Sequence, residues 1–155
     1  MNKSNLYFKT RFIFIFATFF LAPLFFSGCL NRVKLPPVNN SLAAENGNFT
    51  LYVSNQSFAI SDVDIQIKID GKVVVSRYFN VGNQHNWKGF TFSLAKGEHT
   101  LEAHSDQENV TLEKKFNITD EHWAVVDFWY YPSSHYEPTP KHFSFNIKDE
   151  PIYFD

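Results

Sequence analysis

Asp62-Val63-Asp64-Ile65-Gln66-Ile67-Lys68-Ile69-Asp70-Gly71 is the stretch that decides the fold. Val63, Ile65, Ile67 and Ile69 fall on one face, and Asp62, Asp64, Gln66, Lys68 and Asp70 on the other. A period of two sustained this long describes a half-buried antiparallel strand. Asp70-Gly71 then supplies a hairpin turn, because both central residues of such a turn need positive φ. The return, Lys72 to Val81, admits two registers. A two-residue turn sets Ile67 opposite Val74 and buries Val74, Ser76 and Tyr78. A slip of one residue buries Val73, Val75, Arg77 and Phe79 instead. The charge on Arg77 favours the first register, with a bulge left open.

Outward from this hairpin, short β-like runs alternate with turn signals. Phe49 to Ser54 is the first strand, and Val81 to Asn86 a loop. Phe90, Phe92 and Leu94 mark the next strand. After a turn at 95–98, His99, Leu101 and Ala103 face inward opposite Thr100, Glu102 and His104. Val110, Leu112, Phe116 and Ile118 form another inward set, with Lys114 as its misfit. Trp123 to Tyr131 is apolar on both faces apart from Asp127, the pattern of a central, covered strand. Phe143 to Ile147 alternates again, and Pro151-Ile152-Tyr153-Phe154 is a candidate edge piece. Seven or eight strands with no amphipathic helix after residue 48 give an all-β fold, an antiparallel Ig-like sandwich over 48–155. The Cys–Trp–Cys hallmark of antibody domains is absent.

The chain before this domain reads differently. Lys3, Lys9 and Arg11 precede an apolar run from Phe12 to Phe26, which ends in Ser27-Gly28-Cys29. A basic start, an apolar stretch of about 15 residues and small residues at its end make a helical export signal. The run is shorter than the ~20 residues that span a bilayer. Cys29, the chain's single cysteine, stands where the small residues stop. The segment resembles the lipobox signal of bacterial lipoproteins, with Phe26 where that family usually has Leu. The resemblance implies cleavage after residue 28, acylation of Cys29 and attachment to a cell membrane. Leu30, in place of Asp, implies passage to the outer membrane in a Gram-negative host. Residues 29–47, with Pro36-Pro37 and several Asn, Ser and Gly, read as a flexible extended tether.

Removal of 1–28 takes away three of 14 basic residues and leaves 11 against 16 acids, about −5. An acidic chain with no basic cluster argues against nucleic acid as a partner and against electrostatic adhesion to anionic lipid. With Cys29 acylated, no disulfide can form, so burial alone holds the domain.

A second resemblance covers about 40 residues. Ile65-Gln66-Ile67-Lys68-Ile69-Asp70-Gly71-Lys72 and Leu94-Ala95-Lys96-Gly97-Glu98-His99-Thr100-Leu101 are similar to the hairpin and corner of PEGA-type and transthyretin-like β-modules of exported bacterial proteins. It implies a β-sandwich with a surface-attached binding or spacer role and no catalytic residues.

The chemistry-bearing residues follow from the same strand pattern. His99 lies on an apolar face, which suits a buried histidine with both ring nitrogens bonded. His104 points the other way and cannot share a metal with it. His135, Glu137 and His142, between Trp129 and Phe143, are the candidate zinc or copper ligands, although Pro138 and Pro140 stiffen the segment and the spacing fits no strong template. Asp62/Asp64 and Glu98/Glu102 read as solvated outward faces rather than acid–base pairs. No serine or cysteine is set beside a base in a recognisable motif. Because faces alternate, Trp129 and Tyr131 cannot share the face of Phe128 and Tyr130. With Tyr136 they form the candidate binding surface, suited to protein or sugar, or else a minor core under their loop. The expectation is a non-enzymatic, cofactor-free binding or assembly module, with an envelope protein or glycan as partner. A carbohydrate-binding module is the first alternative and a metal-binding protein or metal-dependent enzyme the second.

Overall fold

The computed structural model describes residues 32–82 and 86–154. The signal segment, Cys29 and His85 lie outside them. Eight strands form: β1 (Phe49–Asn55), β2 (Asp62–Ile69), β3 (Lys72–Asn80), β4 (Lys88–Phe92), β5 (Gly97–Ser105), β6 (Val110–Ile118), β7 (His122–Tyr131) and β8 (Thr139–Lys148). They make two four-stranded sheets, β4-β1-β7-β8 and β3-β2-β5-β6. This is the expected all-β sandwich. One pair departs from the antiparallel rule, since β1 lies parallel to β7 from Phe49↔His122 to Asn55↔Phe128.

The core lies between the sheets. Val63, Ile65, Ile67 and Ile69 of β2 are buried, with Phe49, Leu51 and Val53 of β1, Leu101 of β5, and Ala124, Val126 and Phe128 of β7. At ~1.5–3 kcal/mol for each buried large side chain, this set outweighs any surface interaction in the molecule. β7 is interior to its sheet as expected, but only alternate residues are buried. Its other face is half-covered.

The β2–β3 hairpin turns at Asp70 (φ 50°) and Gly71 (φ 73°). The favoured register fails beyond its first two pairs. Ile69 faces Lys72 and Lys68 faces Val73, but Ile67 faces Val75, because Val74 is a bulge. Val74, Val75 and Phe79 are all buried. Arg77 does not forbid this register because β3 is a sheet edge, where its guanidinium stays in water 5.7 Å from the Phe79 ring centre.

From Arg32 on, the stretch read as a tether is instead a strap on the sandwich. Tyr78 donates its hydroxyl to the Val33 carbonyl (3.2 Å), Ser76 donates to that of Pro36 (2.7 Å), and the Asn39 N–H donates to the Val73 carbonyl (2.7 Å). A single 3-10 turn at Asn40–Leu42 then carries the strap across to β4. There the Leu42 carbonyl accepts from Ser93 N–H (2.9 Å), and Ala44 N–H donates to Thr91 (3.1 Å). Gly47 is required where the strap passes β4, since a Cβ there would meet the Phe92 carbonyl oxygen at 2.1 Å.

Asp64 is buried, against the expectation of a solvated face. Its carboxylate accepts from the Ser105 hydroxyl (2.5 Å) and the backbone N–H groups of Asp106 (3.0 Å) and Gln107 (3.2 Å). The turn between β5 and β6, with Asn109 at φ 51°, folds over the outer face of β2 and brings these donors down on it. Removing the acceptor leaves buried donors unpaired, so Asp64→Ala is expected to cost about 2–4 kcal/mol of unfolding free energy in urea titration. Glu98→Ala, on an exposed ion pair with Lys115, should change it by less than about 1 kcal/mol.

Candidate functional site

The loops joining β1 to β2, β5 to β6 and β7 to β8 gather at one end of the sandwich, where the strap also begins. Arg32 marks that beginning. Its guanidinium is 3.4 Å from Asp62 at the start of β2 and 4.7 Å from the Tyr78 ring centre. The β1–β2 loop is locked by its own polar side chains. Asn55 donates its amide to the Ile60 carbonyl (2.7 Å) and accepts from Ser57 N–H (2.9 Å). Ser57 donates its hydroxyl to the Tyr130 carbonyl (2.7 Å), Gln56 N–H donates to that of Phe128 (2.8 Å), and Tyr131 donates to that of Gln56 (3.1 Å). Within this fixed frame Phe58 stays 52% exposed.

The sequence-derived aromatic residues are separated by this arrangement. Trp129 is half-buried on the outer face of β7, with its indole N–H donated to Ser144 (3.1 Å). Tyr131 is half-buried too, and the His135 ring stacks on it at 4.6 Å. Tyr136 projects from the β7–β8 loop at 94% exposure. Of the candidate metal ligands, His135 turns Nδ1 to the Glu137 backbone and His142 turns Nδ1 to the Pro140 carbonyl (2.8 Å). Among the described residues no three His, Cys, Asp or Glu side chains gather as a metal site.

A second aromatic group went unread in the sequence. Trp87, just before β4, stacks on Phe154 at 4.2 Å, and Tyr52 meets the same ring edge-on at 4.9 Å. Beneath them Asp127 accepts from the Trp87 indole N–H (3.0 Å) and the Ser54 hydroxyl (2.6 Å), and Gln56 donates to Ser54 (2.6 Å). The candidate edge piece 151–154 forms no strand. It covers the outer face of β1 instead. No local pattern in the sequence encodes this, because the partners are far apart in the chain. The Asn55-x-Ser57 lock did carry a signal: such side chains after a strand close tight turns on their own backbone.

Between the strap and the edges of β3 and β4 lies a cavity of about 500 Å³, lined by Val38, Ala43, Val74, Val75, Phe90 and Phe92. Arg77 stands among its lining residues.

The most tightly organised titratable pair is His99 with Asp70. His99 Nδ1 lies 2.7 Å from the Asp70 carboxylate and Nε2 lies 2.8 Å from the Ala95 carbonyl. Both partners accept, so the ring satisfies both as an imidazolium donating twice. Asp70 also accepts from Thr100 N–H (3.0 Å). Desolvation works against both charges. For His99 the Ala95 and Asp70 interactions overcome it and raise the pKa above the ordinary 6.5. For Asp70 the Thr100 and His99 bonds overcome it and hold the pKa below 3.8. The raised histidine contributes stability fully below 6.5, lost as pH rises through its folded value. The depressed aspartate contributes fully above 3.8, lost as pH falls through its own. The pair is therefore strongest between those limits. Thermal unfolding at about pH 5 and about pH 9 should show a lower midpoint at the higher pH, and His99→Gln should shrink that difference.

No known family model matches this chain, and no curated protein is similar to it.

Proposed function

We propose that the chain is a lipid-anchored cell-envelope protein, acylated on Cys29, whose sandwich acts as a non-enzymatic binding or assembly module. The carrying observation is Ser27-Gly28-Cys29 at the close of a basic-then-apolar leader. One acyl chain holds a protein only marginally, whereas two or more hold it durably at ~0.8 kcal/mol per buried CH₂. The expected address in a Gram-negative host is the outer membrane.

The resemblance to PEGA-type and transthyretin-like modules gains support from geometry. The hairpin at Asp70 and the corner at His99 are joined by the Asp70–His99 and Asp70–Thr100 bonds. The non-enzymatic reading starts from the buried hydroxyl–carboxylate pairs, which the fold uses to hold its own loops and strands. Ser54 and Ser105 donate to Asp127 and Asp64 while fully buried, where no substrate reaches them.

Mass spectrometry of the protein extracted from its host's membranes is expected to give a chain beginning at acylated Cys29. Cys29→Ala should move the protein to the soluble fraction or leave the leader uncut. A mature terminus elsewhere, or a bare Cys29, would falsify the anchor.

A further inference from the structure

Phe58 and Tyr136 are the exposed large hydrophobic residues of the β1–β2 and β7–β8 loops, and both stand at the end of the sandwich where Arg32 enters. From their position we propose that this end rests on the bilayer, with Phe58 and Tyr136 in the lipid headgroup layer. The inference rests on acylation of Cys29. Three peptide steps separate Cys29 from Arg32, and at ~3.6 Å each they reach no more than about 11 Å. The ion pair of Arg32 with Asp62 ties the first described residue to the start of β2, beside these loops. The opposite end, with the turn at 93–96, stands roughly 30 Å farther off at ~3.3 Å per strand residue.

The surface at the near end suits that position. Phe58 is held outward by a loop whose backbone is bonded to β7, so no ordering cost remains to be met on docking. A tyrosine places an apolar ring and a polar tip across the boundary between lipid and water. The cations of this end are already paired with carboxylates, Arg32 with Asp62 and Lys141 with Glu108 (2.7 Å). Glu137 is a further exposed acid there, beside Tyr136. Docking therefore does not depend on anionic lipid. Two side chains would not hold a free protein on a membrane, but a tether of this length makes the second contact intramolecular.

The test uses the full, membrane-processed chain reconstituted in phosphatidylcholine vesicles, with a nitroxide on Ser134→Cys in the β7–β8 loop or Lys96→Cys at the far end. Both positions are exposed, and neither takes part in the core. Collision with a water-soluble nickel chelate should be several-fold slower at 134 than at 96, and unchanged when anionic lipid is added. Phe58→Ser with Tyr136→Ser should return position 134 to the value at 96 without lowering the unfolding midpoint. Equal nickel access at 134 and 96 in protein with acylated Cys29 overturns the docking and leaves the anchor standing. That result also directs these residues to a protein partner. A mass without acyl groups overturns both.

Discussion

The free edges of β3 and β4 are the constraint on which the rest of this structure depends. A sandwich of two four-stranded sheets leaves edge backbone groups open to pairing with another chain. Here the strap from Val33 to Ala44 occupies both edges on one side of the molecule. Pro36-Pro37 has no N–H to offer, so the strap makes no continuous ladder with β3 and is held there by the single Asn39 N–H to Val73 bond and through Ser76 and Tyr78. It covers the edge without extending the sheet.

The same need to satisfy backbone groups explains the polar residues found inside. Asp64 gathers the N–H groups of the β5–β6 turn, and Asn55 and Ser57 close the β1–β2 loop. The side chain of Asn48 pairs with both the N–H and the carbonyl of Leu94, at 2.9 and 3.0 Å, as a strand residue would. Hydrogen bonds of this kind add little each, but leaving such groups buried and unpaired costs far more. Loops fixed in this way keep Phe58 exposed when a looser chain would fold it in.

The all-β class, the hairpin at Asp70-Gly71 and the inward set of β2 were legible because burial on one face writes a period of two directly into the residues. His99 was legible for the same reason, as a polar residue on an apolar face that needed two partners. The register of β3 was not. Alternation gives a face only until a bulge resets it, and whether Val74 bulges depends on Val75 and Phe79 finding room in the core, which is a property of both sheets. Arg77 misled because a charge excludes a register only on a strand that is covered, and nothing local marks β3 as an edge. Asp64 misled in the opposite sense. It alternates like a surface residue, and its burial is decided by a turn some forty residues away. The parallel pairing of β1 with β7 and the seat of Phe154 on Trp87 are equally non-local.

The bonds of the strap bear on the stretch read from the sequence as a flexible tether. A flexible tether of 29–47 would let the head sample every orientation above the membrane, at roughly 50 Å reach if extended as polyproline II. With Val33 to Ala44 bonded to β3 and β4, that freedom is removed from most of the segment. The strap also supplies Val38, Asn40 and Ala43 as one wall of the cavity beside Arg77. The segment that protects the sheet edges thus also shapes the cavity beside them.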